Sequence, residues 1–283
     1  MTPVIWVGGV LVDATQPSVS AVDHGVTVGD GVFETCRVDD GAPFALTRHL
    51  ARLRRSAEGL GLDAPDDGTI RRAVREVLAA APDAGRLRIT VTAGLGPLGS
   101  QRTPGEQTIV VAASEAGASR PARVVRAPWA RNERSAVAGL KTTSYAENVV
   151  ALRYASERGG DEAVLANTHG ELCEGTGSNV FVERGGELLT PPLSSGCLAG
   201  ITRELLLEWA ADDGLAVREA EAGELGFEVL DDVLDGRAQL LITNSVRDAQ
   251  AVTSLDGVDL EAGPVSLAAE QLFARRRAAQ VDP

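Results

Sequence analysis

The chain has 283 residues, of which 44% are apolar and 24% are charged, and its net charge is −13. These proportions are typical of a folded globular protein, and the length is sufficient for two domains. The acidic excess argues against a nucleic-acid surface or an anionic membrane as a partner, because both need basic patches. No apolar run reaches the roughly 18 residues that a membrane span requires.

The beginning of the chain lacks the basic segment and the cleavage pattern of a signal peptide. The three cysteines, Cys36, Cys173 and Cys197, are an odd number and have no close pairing. They indicate reduced, mostly buried residues of a cytoplasmic protein. Because the three histidines are also widely spread, no zinc spacing appears and no metal is predicted.

An N-terminal α/β domain is predicted over residues 1–113. The segment at 32–38 is strand-like and is followed by a turn signal. Apolar residues recur at helical spacing over 46–62 and predict a helix with Thr47 as its N-cap. A second helix is predicted over about 68–80, and the remaining strands over 86–93 and 108–113.

Residues 114–123 are small, polar and turn-rich, which predicts a linker between domains. A C-terminal domain that carries the only lysine is predicted over 124–283, with helices over about 145–158, 200–214 and 265–280 and short strands between them. Strands and helices do not alternate regularly. The pattern therefore favours an α+β fold with mixed or barrel-like sheets over a doubly wound parallel sheet.

Lys141 is the single lysine in a chain that has 26 arginines. A guanidinium is charged at essentially any pH, whereas a desolvated lysine amine loses its proton and attacks a carbonyl. A lysine on a solvated face is the plainer explanation, so the neighbouring residues must decide. A lysine that binds pyridoxal phosphate also needs a carboxylate for the pyridine nitrogen, an anion site for the phosphate and an enclosing surface.

The chain offers a candidate for each of these groups. Glu174 ends a predicted strand before a glycine-rich turn, although in isolation a turn or cap acid is the commoner explanation. Ile201 and Thr202 open a predicted helix, whose free N–H groups favour a phosphate. Arg52 offers a bidentate cation, although most arginines on its helix are expected to be solvated.

In their order along the chain, six segments resemble the class IV aminotransferase family, the fold type IV pyridoxal phosphate enzymes with the D-amino acid aminotransferase-like fold. They are VGDGVFETCRV, HLARL, LKTTSYAEN, ELCEGTGSNVFV, CLAGITRELLL and LITNS. The resemblance implies that Lys141 binds the cofactor covalently and acts as acid and base. It implies that Glu174 pairs with the pyridine nitrogen. The implied phosphate-binding residues are Arg52, Ile201 and Thr202, with Ser245 close by.

One feature departs from the branched-chain members of this family. In those enzymes a tyrosine five residues after the lysine contacts the cofactor. Here Ala146 occupies that place, and Tyr145 stands one residue earlier as the candidate for this contact.

Three local features are similar to 4-amino-4-deoxychorismate lyase. Thr35 stands where branched-chain enzymes have glycine, and the segments RITVTAGLGPLGS and LITNS also resemble the lyase. Ala93 departs from it, since lyases often have a basic residue there. Arg102, in the following loop, is a candidate for binding a substrate carboxylate, and a solvated loop arginine is the equally weighted alternative.

The resemblance therefore implies a lyase that forms 4-aminobenzoate and pyruvate, a step of folate synthesis, with Lys141 and Thr35 as catalytic residues. A class IV transaminase of D-amino acids, amines or branched-chain amino acids is the alternative. A catalytically idle binding module with the same fold is a third hypothesis. The implied partners are a small-molecule amine substrate and a second copy of the chain, with no nucleic acid and no membrane.

Overall fold

The computed structural model describes residues 2–117 and 120–283. The chain forms two compact units, of which the first holds residues 1–118, 140–145 and 281–283, and the second holds residues 119–139 and 146–280. Residues 118 and 119 of the predicted linker lie outside the described ranges, so the linker stays a prediction.

The first unit contains a six-stranded antiparallel sheet with the strand order β2-β1-β6-β5-β3-β4. Its strands are β1 (Val4–Val7), β2 (Val10–Val12), β3 (Gly31–Asp39), β4 (Ala42–Pro43), β5 (Arg86–Thr92) and β6 (Thr108–Ser114). Its helices are α1 (His24–Thr27), α2 (Leu46–Leu60) and α3 (Asp67–Ala80). The predicted strands and both predicted helices of this half are confirmed.

Alternation of side chains along β3 gives the sheet two different faces. Val32 and Cys36 are fully buried in one cluster with apolar residues of α2 and α3, such as Leu50 and Ile70. Burying each large aliphatic side chain in this way stabilises the fold by about 1.5–3 kcal/mol. The opposite face carries Phe33 and Thr35 and is described with the candidate site.

The N-terminus of α2 differs from the prediction. The residue at the N-cap is Ala45, in a left-handed conformation with φ 53 and without a side-chain cap. Thr47 lies in the first turn, where its N–H donates to Asp282 Oδ1 at 2.9 Å and its Oγ1 donates to Asp282 Oδ2 at 2.6 Å. The prediction of Thr47 as the N-cap is therefore wrong, because the acceptor comes from a residue distant in sequence.

The lysine segment also differs from the prediction, which placed it in the C-terminal domain. Residues 140–145 belong to the first unit, because they pair with the beginning of β3. The N–H of Phe33 donates to the carbonyl of Lys141 at 3.0 Å, and the N–H of Thr143 donates to the carbonyl of Gly31 at 2.8 Å. The N–H of Lys141 donates to Oγ of the buried Ser56 at 3.1 Å.

A buried ionic cluster joins α2 to β3. Arg52 Nε and Nη2 donate to the two carboxylate oxygens of Glu34 at 2.7 and 2.6 Å, and His49 Nδ1 lies 2.7 Å from Glu34 Oε2. Burial alone would raise the pKa of Glu34, but the Arg52 and His49 side chains outweigh it and hold that pKa well below its usual range. Burial lowers the pKa of His49; Glu34 opposes this effect, and the Arg52 and Lys141 cations add to it.

The second unit contains a mixed sheet in the order β12-β11-β10-β13-β14-β7-β8-β9, with β15 beside β14. The pairs β11–β12, β7–β14 and β7–β8 are parallel, and the other pairs are antiparallel. The strands are β7 (Ala122–Arg131), β8 (Glu162–Asn167), β9 (Leu172–Gly175), β10 (Asn179–Arg184), β11 (Glu187–Thr190), β12 (Val217–Glu219), β13 (Gln239–Asn244), β14 (Asp248–Leu255) and β15 (Val258–Asp259).

The helices of the second unit are α4 (Ala146–Ser156), α5 (Ile201–Asp213), α6 (Val229–Leu234) and α7 (Pro264–Ala279), with a 3-10 turn at Leu193–Ser195. The predicted helices over 145–158, 200–214 and 265–280 are confirmed, and so is the α+β class. All three cysteines are buried and free. In the described ranges, no helix combines the length and the apolar character that crossing a membrane demands.

The cap of α2 gives a stability prediction. Asp282→Ala removes both acceptors of Thr47, and we expect it to lower the free energy of unfolding by about 0.5–2 kcal/mol. Urea denaturation followed by circular dichroism measures this change. Asp259→Ala, at an exposed position of the second unit, is the control. An equal loss in both variants would contradict the capping role.

The buried histidine gives a pH prediction. Because the pKa of His49 is lower in the folded than in the unfolded state, folding disfavours its protonation. The free energy of unfolding must therefore fall as the pH drops below about 6.5, the pKa of a histidine in the unfolded chain. Protonation of Glu34 in the unfolded chain adds to this fall below about pH 4.5. We expect His49→Gln to flatten the pH dependence of unfolding between about pH 6.5 and 5. His169→Gln, at a largely exposed histidine, should leave it as in the wild type, and identical slopes in all three proteins would refute the linkage.

Candidate active site

The lysine amine of the first unit lies among aromatic rings. Lys141 Nζ is 3.5 Å from Tyr145 Oη and 4.5 Å from the centre of the Phe33 ring. The rings of Phe33 and Tyr145 meet edge to face, with centroids 5.0 Å apart. Lys141 and Tyr145 are half-buried and Phe33 is buried. The two rings thus hold the half-buried amine on the side of β3 that carries Phe33.

The same face of the sheet carries Thr35 and Arg88. Thr35 follows Phe33 by two residues on β3, and its partner in the strand register is Arg88 of β5. The Arg88 guanidinium lies 3.8 Å from the centre of the Phe33 ring, and its Nε donates to Thr90 Oγ1 at 3.3 Å. Lys141 and Arg88 therefore both contact the Phe33 ring, and within the described residues Arg88 has no carboxylate partner.

Arg102, the loop arginine considered for a substrate carboxylate, binds groups of the protein itself. Its Nε and Nη2 donate to the two carboxylate oxygens of Asp30, each at 2.6 Å. Its Nη1 and Nη2 also donate to the carbonyls of Gly61 and Leu60 at 2.6 and 2.8 Å. These bonds fasten the loop after β5 to the end of α2. Arg102 therefore stabilises the loop, and Arg88 replaces it as the candidate for a substrate carboxylate.

Arg52, the predicted phosphate ligand of the first unit, lies within the buried ionic cluster. Two of its five N–H groups bind Glu34, which fixes the plane of the guanidinium. Burial by itself lowers the pKa of Arg52, but Glu34 outweighs it and raises that pKa. The cation is thus held in one orientation and one protonation state.

Glu174 of the second unit stands near the end of β9 and is held from two sides. Its Oε2 accepts the N–H of Leu198 at 2.9 Å, and its Oε1 lies 3.3 Å from Nε of Arg131. Arg131 has no local signal in the sequence, because its contact with Glu174 joins two strands that are distant in sequence.

The glycine-rich turn after Glu174 is organised by a second carboxylate. Glu162 is buried and accepts hydrogen bonds from the N–H and Oγ1 of Thr176 and from Oγ of Ser178, the last at 2.8 Å. Burial raises the pKa of Glu162, although these hydrogen bonds oppose the effect. Gly175 leaves room for this arrangement, because a Cβ there would collide with Ser178 Oγ.

The N-terminus of α5 has the properties of an anion site. Ile201 and Thr202 are buried, and Gly200 at the N-cap provides no side-chain acceptor for the N–H groups of the first turn. A Cβ on Gly200 would collide with Asn179 Oδ1, so the backbone approaches β10 closely. Thr243 is the register partner of Asn179.

The Oγ1 of Thr243 is buried and has no hydrogen-bond partner within the described ranges. A buried hydroxyl of this kind is costly unless a ligand completes its bonding. Ser245 follows in a turn in which Asn244 Oδ1 accepts the N–H groups of Val246 and Arg247 at 2.9 and 2.8 Å. The helix N-terminus and the orphaned hydroxyl together fit a phosphate group.

The residues predicted for the site divide between the two units. The first unit holds Thr35, Arg52, Lys141 and Tyr145, and among these Lys141 and Tyr145 are in contact. The second unit holds Glu174, Ile201, Thr202 and Ser245. Ala146, at the place of the tyrosine of branched-chain enzymes, is the first residue of α4 and is exposed.

Comparison with known proteins gives concordant matches over most of the chain. Over 261 residues the chain is 33% identical to a Methanocaldococcus jannaschii protein provisionally named branched-chain-amino-acid aminotransferase, covering 89% of this chain and 88% of that protein. Over 289 residues it is 31% identical to the bifunctional aminodeoxychorismate lyase / D-amino acid transaminase of Mycobacterium tuberculosis, covering 93% and 94% respectively.

A solved structure of a hypothetical aminotransferase from Mycobacterium tuberculosis, with bound α-ketoglutarate and PMP, superimposes with a TM-score of 0.83 at 27% identity. The match covers 98% of this chain and 99% of that one. The family model for amino-transferase class IV matches residues 31–255. The chain therefore belongs to the class IV aminotransferase family, whose enzymes use pyridoxal phosphate.

Proposed function

We propose that the protein is a 4-amino-4-deoxychorismate lyase that forms 4-aminobenzoate and pyruvate for folate synthesis. The observation that carries the proposal is the placement of Lys141, Thr35 and Arg88 on one face of the first sheet. The name of the Mycobacterium tuberculosis relative, which includes both lyase and D-amino acid transaminase activities, supports it.

Pyridoxal phosphate, when bound, supplies an electron sink for the substrate carbon next to nitrogen. In the proposed site Lys141 would hold it covalently and Glu174 would pair with its ring nitrogen. Tyr145 would be a further contact to the cofactor. The phosphate ligands are Arg52, Ile201, Thr202 and Ser245, and the orphaned hydroxyl of Thr243 adds a further donor.

The lyase reaction needs one base and one acid. The amine of Lys141, freed from its covalent bond by exchange with the substrate amine, would remove the proton from the ring carbon that bears nitrogen, and the ether C–O bond to the enolpyruvyl group would then break. The leaving enol takes up a proton, delivered by Lys141 or assisted by the hydroxyl of Thr35, and becomes pyruvate. Formation of the aromatic ring makes the step downhill, and no oxidant or second substrate is consumed.

The substrate carries two carboxylates, and Arg88 is the cation that suits one of them. A guanidinium binds a carboxylate through two parallel N–H···O bonds. The Phe33 ring lies beneath Arg88, and Arg88 Nε donates to Thr90 Oγ1. Both contacts limit the orientations of the Arg88 guanidinium. A guanidinium whose orientation is already restricted loses less side-chain entropy on binding a carboxylate than a freely rotating arginine does.

The alternative is a transaminase, which would use the same lysine and carboxylate but return the proton to the cofactor and release a keto acid. The names of the two relatives favour D-amino acids or branched-chain amino acids as its substrates.

For the lyase and for the transaminase alike, we propose a homodimer. Val149, Val150 and Leu152 of α4 are exposed and offer an apolar surface for a second copy.

The reaction products distinguish these activities. Incubation with aminodeoxychorismate and no keto acid should release 4-aminobenzoate and pyruvate in equal amounts, and Lys141→Ala should abolish both. D-alanine or a branched-chain amino acid with 2-oxoglutarate is the parallel assay. Amine transfer in that assay, with no aromatic product from aminodeoxychorismate, would overturn the lyase in favour of the transaminase. Borohydride treatment that leaves no cofactor mass on Lys141 would remove both enzyme proposals.

The role of Arg88 predicts a selective loss of substrate binding. Arg88→Met should raise the KM for aminodeoxychorismate by about tenfold or more, because a charge-assisted bond is lost, while cofactor affinity stays unchanged. Arg88→Lys should recover part of the loss. Arg72→Met breaks an exposed pair with Glu76 on α3 and serves as the control. A normal KM in Arg88→Met would exclude the contact.

A further inference from the structure

The carboxylate of Glu174 is held by one hydrogen bond and one ion pair. The N–H of Leu198 binds Oε2 at 2.9 Å, and the guanidinium of Arg131 lies 3.3 Å from Oε1. The side chains of Arg131 and Glu174 are only 16% and 12% exposed. At this depth an ion pair is screened less by water and salt than an exposed pair is.

Arg131 is itself fixed by the first turn of α4. Its Nη1 lies 3.1 Å from Glu147 Oε2 and 3.1 Å from Asn148 Oδ1. The amide of Asn148 in turn donates to the carbonyl of Thr176, in the turn that follows Glu174. Arg131 therefore connects the end of β7, the start of α4 and the carboxylate at the end of β9.

The geometry of the pair leaves one donor incompletely used. The Nε of Arg131 is buried, and within the described ranges its N–H has no well-aligned hydrogen-bond acceptor. Oε1 of Glu174 lies 3.3 Å from this Nε. A buried N–H without an acceptor is costly, so the pair favours the rotamer of Glu174 that approaches this donor.

We propose that Arg131 is the positioning residue for Glu174, and that it orients this carboxylate toward the protonated nitrogen of the cofactor ring. The proposal rests on the proposed function, in which Glu174 faces that nitrogen. Arg131 touches neither substrate nor cofactor and acts through Glu174. One oxygen of the Glu174 carboxylate accepts the N–H of Leu198, and the other lies beside the cation of Arg131. These two contacts restrict rotation of the carboxylate away from the cofactor ring.

A double-mutant cycle on cofactor binding tests this role. The probe is pyridoxamine 5′-phosphate, which forms no covalent bond to Lys141, and its dissociation constant is measured by fluorescence quenching of the cofactor-free protein. We expect Arg131→Gln and Glu174→Gln each to weaken binding by about tenfold or more. In the double variant Arg131→Gln should add no further loss, because there is no carboxylate left to position.

Two further variants control the experiment. Arg131→Lys keeps the charge but lacks the planar fork, so we expect an intermediate affinity; it also replaces Arg131→Gln in the cycle if the latter does not fold. Arg218→Gln breaks an exposed ion pair with Glu224 in the same unit, and its affinity should match that of the wild type.

The outcomes separate this inference from the proposed function. A wild-type protein that fails to bind pyridoxamine 5′-phosphate would overturn the proposed function and this role together. If the wild type binds, a normal affinity in Arg131→Gln refutes the positioning role alone, whereas a normal affinity in Glu174→Gln refutes both this role and the proposed contact of Glu174 with the ring. An equal loss from Arg131→Gln in the presence and absence of Glu174 would also refute the positioning role, because that result describes a general structural residue.

Discussion

The structure depends most on the main-chain pairing of residues 141–143 with the first residues of β3. The N–H of Phe33 donates to the carbonyl of Lys141, and the N–H of Thr143 donates to the carbonyl of Gly31. These two main-chain bonds hold the short segment against β3. Leu140 packs where Gly59 of α2 has no side chain, since a Cβ there would lie 2.7 Å from a methyl group of Leu140. The lysine amine therefore has a fixed position relative to the Phe33 ring, although no regular strand carries it.

Two buried carboxylates organise the units that hold the candidate site, and they do so by opposite means. Glu34 is ionised and neutralised by Arg52, so its charge orients a cation that is predicted to bind phosphate. Glu162 is surrounded by hydroxyl and N–H groups, and burial raises its pKa. In each case the carboxylate fixes a neighbouring group: a guanidinium in the first unit, and the turn after Glu174 in the second.

The sequence was sufficient to predict the periodic elements and the α+β class, because helices and strands leave their repeats in the order of apolar residues. It was insufficient wherever a distant residue supplies a bond. The cap of α2 comes from Asp282, and the lysine segment joins the first unit through β3. Arg88 and Arg131 were missed for the same reason, since strand register and the meeting of strand ends are not encoded locally. The role expected of Glu174 came from the family resemblance. A sequence shows such a resemblance directly, because it consists of residue types at fixed places in a motif.

The difference between local sequence patterns and contacts of distant residues also explains why the class of enzyme is easier to establish than its reaction. The groups proposed to hold the cofactor lie on helices and strands whose positions the fold determines: Arg52 on α2, Glu174 on β9 and Thr202 on α5. The choice between elimination and transamination depends on where a proton goes after the shared first step, and hence on side chains that face the substrate. On the first sheet the side chains proposed to face it are Thr35 and Arg88. We therefore expect the side chains on this face, rather than the fold, to decide between the two reactions.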